Sequence, residues 1–232
     1  MRIGIGGIYH LALFGILIPY AAVRSARRID TRPLPPKAAH FTATIVTLLV
    51  FLSLSWLVAI KERIVLFPRA LPQAWTVAVG AAVLAILVGV MRPLWRSRVV
   101  ARARKVWLFM PRTRQERLLW VGCACAAGLS EEVTYRGVMF VLLWRLLGQP
   151  VAAAIVAAAV FAVSHWLQGW KGMAIIFSFA LAFQGLVWIS RSLYVAIAVH
   201  ALYDVVAGFF YGKYGDALGY PLEPQPPAAA PA

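Results

Sequence analysis

The sequence predicts an all-α, polytopic transmembrane helix bundle of about seven spans, and three observations carry that prediction. The chain has 232 residues of which 62% are hydrophobic and only 13% charged, with a mean hydropathy of +0.78. That is too apolar for a soluble domain of this size. Apolar runs of roughly 20 residues, each long enough to cross about 30 Å of hydrocarbon as a helix, recur along the chain. Most of the 23 Lys and Arg gather in the segments between these runs, as in loops that face the cytoplasm or lipid phosphates. The same placement accounts for the net charge of +15 without nucleic acid. The expected partner is the lipid bilayer, and the expected location is a bacterial inner (plasma) membrane, with the chain as a multi-pass integral protein.

Residues 3–23 form the first apolar run, with Arg2 before it and Arg24, Arg27 and Arg28 directly after it. A signal peptide has a shorter apolar core, and a basic cluster after the run retains it, so a retained span is expected. Residues 25–40 include Pro33-Leu34-Pro35-Pro36, which cannot be helical throughout, and read as a short cytoplasmic linker. Residues 41–60 and 73–90 are the second and third spans, charge-free scaffold helices packed through Ser53, Gly80, Ala81 and Ala82. The stretch 92–117 carries nine Lys or Arg and one Glu. Its charge places this loop and the 24–40 loop in the cytoplasm, with the N-terminus and the 61–72 loop outside. Trp95, Trp107 and Phe109 among those cations suit a segment lying at the membrane interface.

Thr113 followed by Glu116 has capping-box spacing and starts the fourth helix, whose pattern persists to about Leu147. Some 30 residues rise about 45 Å, so this helix overshoots the hydrocarbon or breaks near Gly128. Gly148-Gln149-Pro150 ends it. Residues 151–167 form a fifth span rich in Ala and Val, small enough to let it approach the preceding helix closely. A turn at Gly169-Trp170-Lys171-Gly172, a sixth span at 173–189 with Gln184 as a packing amide, a second turn at Ser190-Arg191-Ser192 and a last span at 193–211 follow. Residues 212–232, rich in Pro, Ala and Gly, read as a disordered tail. The organisation is thus 1–112 as N-terminal helices with basic loops, 113–211 as a catalytic bundle and 212–232 as the tail. Cys123 and Cys125 are two apart on a helix, point to nearly opposite sides and read as packing residues.

Function is concentrated in Ser130-Glu131-Glu132-Val133-Thr134-Tyr135-Arg136-Gly137, where three ionisable side chains sit within an apolar stretch. A charge inside a bilayer costs at least about 2.5–3.5 kcal/mol, so carboxylates there imply a site. On a helix Glu132 and Arg136 share a face, four apart, and can neutralise each other as a structural pair. Glu131 is turned about 100° away, without a built-in partner and free to carry a proton. Two more helices bring His165, His200 and Asp204, the last two again four apart. Glu, His, His and Asp suit activation of water, a carboxylate taking the proton and polar donors stabilising an oxyanion. The same residues are acceptable ligands for a metal-dependent protease, and a Glu/His relay also serves a proton-coupled carrier. A carrier predicts related halves, and no internal repeat is visible.

The ordered set Glu131-Glu132-x-x-x-Arg136, Phe161-x-x-x-His165 and His200-x-x-x-Asp204 resembles the CPBP group. These are intramembrane glutamic proteases that include the type II CAAX prenyl endopeptidases and bacterial Abi proteins. The resemblance covers about residues 113–211. It implies an intramembrane endopeptidase that hydrolyses a peptide bond of a membrane-associated protein or peptide with a glutamate-activated water, without metal or other cofactor. Glu131 would be the general base and His165 would orient the water. His200 and Asp204 would form the oxyanion side, and Glu132 with Arg136 the structural pair. The third motif often ends in Asn, whereas Asp204 donates a hydrogen bond only when protonated.

Overall fold

The computed structural model describes residues 3–29 and 32–223. Among them every regular element is helical, because backbone groups in hydrocarbon must be satisfied within their own segment. The first helix runs as α1 (Ile5–Ala12), a π-helical stretch (Leu13–Leu17) and α2 (Ile18–Ile29). Next come α3 (Lys37–Lys61) and α4 (Ala74–Val100). A 3₁₀ helix (Arg104–Phe109) leads to α5 (Arg114–Glu131), which continues through a π-helical segment (Glu132–Met139) into α6 (Phe140–Leu147). The chain closes with α7 (Pro150–Ser164), a 3₁₀ turn (Trp166–Gln168), α8 (Gly169–Ser190) and α9 (Tyr194–Ala217). Five helices are long and apolar enough to cross a membrane: the first, α3, α4, α8 with the turn before it, and α9. With the charged α5–α6 helix and the short, apolar α7, the bundle accords with the expected number of spans.

Helix α5 starts as the sequence expects. Thr113 accepts from the Glu116 backbone N–H at 3.1 Å and the Glu116 carboxylate takes the Thr113 N–H at 3.3 Å, completing the capping box. Of the two alternatives for this helix, a break near Gly128 is absent, and α5 is continuous from Arg114 to Glu131. Gly128 instead marks a close crossing with α9, where an added Cβ would lie 2.9 Å from Ala201 N and 3.0 Å from Ile197 O. These are backbone atoms and cannot swing aside, so Gly128→Ala is expected to cost about 1–3 kcal/mol and lower the melting temperature in detergent.

Two features bring the polar residues of three helices together. Helix α7 has only 15 residues, about 22 Å, and His165 follows directly at its C-terminus. Helix α9 starts next to a buried residue. Leu193, just before it, is 3% exposed and packs over Gly137, where an added Cβ would meet Leu193 Cδ1 at 3.2 Å. About two helical turns then carry the chain to His200.

Loops seal both ends. On one side Leu66 also packs over Gly137, Tyr194 Oη donates to Pro68 O at 3.2 Å, and the Phe67 and Tyr194 rings meet at 5.3 Å. Glu62 accepts the Gly7 N–H at 3.0 Å and pairs with Arg145 at 3.3 Å, joining the first helix to α6. On the other side Lys37 Nζ donates to Met110 O at 2.8 Å, Arg112 to Tyr220 O at 2.8 Å, and Tyr220 Oη to Ala103 O at 3.0 Å.

Several boundaries differ from the sequence reading. Helix α4 runs to Val100, ten residues past the expected end of its span. Trp95 and Trp107 are 2% and 7% exposed and pack with Leu34, Val99 and Leu108, a packing that aromatic residues among cations did not announce. The chain turns earlier than expected, at His165 and the 3₁₀ residues Trp166–Gln168; Gly169, with φ 76°, opens α8 and residues 170–172 are already helical. Helix α9 continues through Ala217, and Tyr220 is buried at 4% against that same core, so order extends well past Gly212. Residues 224–232 of the expected tail lie outside the described residues.

Candidate active site

Glu131 closes α5 and Glu132 opens the π-helical segment, a geometry that is rare and concentrated at functional sites. Two contacts brace that segment: His10 Nε2 lies 3.3 Å from Thr134 O, and the Ser55 and Thr134 hydroxyls are 2.8 Å apart. The two glutamates then meet different surroundings. The Glu132 side chain is fully buried, its Oε1 3.1 Å from Arg136 Nη1. The Arg136 guanidinium lies over the Phe161 ring at 4.3 Å and near that of Phe183 at 5.7 Å, an arrangement that disperses its charge in a dry interior. Glu131 is partly exposed and faces a cavity of about 290 Å³.

The two histidines approach Glu131 from opposite helices. His165 Nδ1 is 2.8 Å from Phe161 O, a carbonyl, so this nitrogen donates and Nε2 is left to face the cavity. That Nε2 is 3.9 Å from Glu131 Oε2. The separation is too long for a direct hydrogen bond and short enough for one bridging water. His200 Nδ1 lies 2.8 Å from Glu132 Oε1, the same oxygen that Arg136 engages, and its Nε2 is 3.7 Å from Glu131 Oε2 and 3.6 Å from Asp204 Oδ2. The structural pair is therefore joined to the site through one imidazole, which spacing along separate helices did not disclose. The Phe161 ring lies 4.5 Å from that of His165, tilted by 54°, Phe183 lies 5.3 Å from the His200 ring, and Trp120 Nε1 donates to Asp204 O at 2.9 Å.

Glu131, His165, His200 and Asp204 thus line one cavity, while Glu132 and Arg136 lie behind it. The cavity extends along α5 from Glu131 to Trp120 and along α9 from His200 to Tyr211, three turns of helix or about 16 Å. Its walls are mainly apolar and aromatic, with Met91, Trp95, Phe179 and Tyr203 among them. Cys123 also lines it, whereas Cys125 is exposed, and both thiols are free. Residues the sequence gave no reason to single out are Trp120, Phe183 and Arg98, since a Trp, a Phe or a loop cation carries no spacing signal by itself. Among the described residues no group of three or more His, Cys, Asp and Glu has a metal-holding arrangement.

Residues 113–206 match the family model for the Rce1-like type II CAAX prenyl endopeptidases. All six ionisable residues of the site and its structural pair fall within that segment, and the resemblance read from the three motifs is borne out. The Rce1-like match supports a membrane peptidase at the level of the family. No curated protein and no solved structure matches the chain. The helices before residue 113 lie outside the Rce1-like segment.

Proposed function

We propose that the chain is an intramembrane glutamic endopeptidase that hydrolyses a peptide bond of a membrane-associated protein or peptide. The observation that carries this reading is the contrast between neighbouring carboxylates: Glu132 is buried against Arg136, whereas Glu131 faces the cavity between two imidazoles. In the reaction Glu131 takes a proton from water held between it and His165, and the hydroxide attacks the carbonyl carbon. His200, fixed through Nδ1 by Glu132, presents Nε2 to the oxyanion when that nitrogen is protonated, and protonated Asp204 gives a second donor. Collapse of the tetrahedral intermediate breaks the C–N bond, and Glu131 returns its proton to the leaving amine. The products are a carboxylic acid and an amine.

Cleavage by the purified chain in lipid nanodiscs tests this reading, with prenylated and unmodified C-a-a-X peptides as first probes and fragments read by mass spectrometry. The expected result is hydrolysis that persists in 1,10-phenanthroline and falls about 10²-fold or more in His165→Ala. Loss of activity in the chelator, restored by zinc, favours the metal-dependent alternative.

The cavity runs from the catalytic residues toward the basic 92–117 segment, so the substrate enters from the cytoplasmic side. In a Cys123→Ser, Cys125→Ser background, Arg102→Cys in intact cells should react only with membrane-permeant maleimide. Reaction with an impermeant reagent inverts the orientation.

A further inference from the structure

The π-helical segment Glu132–Met139 is gripped from outside its own helix, and both grips come from helices that precede the Rce1-like segment. In the first helix the buried His10 places Nε2 3.3 Å from Thr134 O, and since a carbonyl only accepts, this nitrogen is the donor. In α3 the buried Ser55 sets its hydroxyl 2.8 Å from that of Thr134. The next residue carries the grip onward. Tyr135 Oη lies 3.2 Å from Ser164 Oγ, and it is the donor because Ser164 itself donates to Val160 O at 3.0 Å. Ser164 directly precedes His165. The Tyr135 ring meets Phe14 of the first helix at 6.3 Å and Phe161 of α7 at 4.9 Å, both edge to face. His10, Ser55 and Thr134 stand outside the cavity wall, so their contacts act on backbone geometry and not on a ligand.

We infer that His10 and Ser55 are positioning residues for the pair that holds the water, Glu131 and His165, and that they act through Thr134 and Tyr135. This rests on the endopeptidase reading above. A π turn bonds each carbonyl five residues ahead where an α turn bonds four, so it holds one residue more. Thr134 is three residues after Glu131. Relaxation of this segment to α geometry would rotate Glu131 relative to Tyr135 by up to about 100°, the angle of one residue. Far less than that spoils the site. The 3.9 Å between Glu131 Oε2 and His165 Nε2 fits one bridging water, and a misplacement of about 1 Å costs on the order of 10²-fold in rate. His10 holds the backbone of Thr134 and Ser55 holds its side chain, while Tyr135 ties the same turn to the end of α7. One clamp thereby sets both partners of the water.

Kinetics in nanodiscs with the same C-a-a-X peptides separate positioning from substrate binding and from bulk stability. Ser55→Ala and Thr134→Val each delete the hydroxyl contact; His10→Phe keeps a ring against Phe14, 4.6 Å away, and deletes the N–H donor. Each is expected to lower kcat about tenfold or more with KM within about twofold, because none of the three residues lines the cavity. Thr134→Ser, which keeps the hydroxyl, should recover most of the rate. Ser55→Ala combined with Thr134→Val should be no slower than the slower single variant, since both remove one contact. Where Thr134→Val does not fold, His10→Phe decides the case. Unchanged kcat per folded molecule overturns the inference, whatever the melting temperature does, and so do losses that multiply in the double variant or appear only in KM. Hydrogen exchange of the 132–139 amides reads the clamp without activity: it should quicken in the three deletion variants, and equal exchange overturns the clamp. Faster exchange in those variants of a chain that cleaves none of the peptides overturns the endopeptidase reading while the clamp stands.

Discussion

Replacing Glu131 by Gln should end peptide hydrolysis while leaving the bundle intact. The substitution keeps the shape of the side chain and removes the proposed general base, so kcat should fall by about 10²–10⁴-fold. Nothing structural depends on that carboxylate to the same degree. It is partly exposed to the cavity, and its contacts to His165 and His200 are 3.9 and 3.7 Å, longer than direct hydrogen bonds. The melting temperature in detergent should therefore stay close to that of the unaltered chain. Full activity in Glu131→Gln would remove the base from the mechanism.

Its neighbour should fail differently. In Glu132→Gln the Arg136 guanidinium, 3% exposed, loses the anion paired with it. The phenylalanine faces at 4.3 and 5.7 Å remain, but breaking a buried pair by removing one member typically costs about 3–5 kcal/mol. Expression and melting temperature should both drop. Activity should drop as well, because Glu132 Oε1 also holds His200 Nδ1 at 2.8 Å. Adding Arg136→Met to Glu132→Gln removes the stranded cation and should recover much of the stability. It should not recover hydrolysis, since the imidazole still lacks its carboxylate. A double variant that regains both would show Glu132 to be structural only. An active and stable Glu132→Gln would remove it from either role.

Much of this division was legible in the sequence, for identifiable reasons. Helical spacing put Glu132 and Arg136 on one face, and the price of intramembrane charge made Glu131 conspicuous. The capping box at Thr113 and the apolar runs located most helices. What stayed hidden depended on three-dimensional packing. The π-helical segment from Glu132 to Met139 uses ordinary helix-forming residues and is braced by His10 and Ser55, which lie far away in sequence. The convergence of His165 and His200 on Glu131 follows from how α7 and α9 pack beside α5, which spacing within one helix does not encode. The tie between His200 and Glu132 joins residues 68 positions apart. The order past Tyr211 comes from backbone carbonyls at Tyr220 and Pro221 that Arg112 reaches, and no local pattern announces such a contact.

The chemistry itself is tested most directly by a single turnover in H₂¹⁸O, with enzyme in excess over a cleavable peptide and both products analysed by mass spectrometry. Direct attack by water activated at Glu131 places one ¹⁸O in the new C-terminal carboxylate during the first turnover and leaves the Glu131 side chain unlabelled. Label appearing in Glu131, with the first-turnover product carrying only ¹⁶O, would instead mean that the carboxylate attacks the peptide and forms an anhydride, contradicting its role as a base.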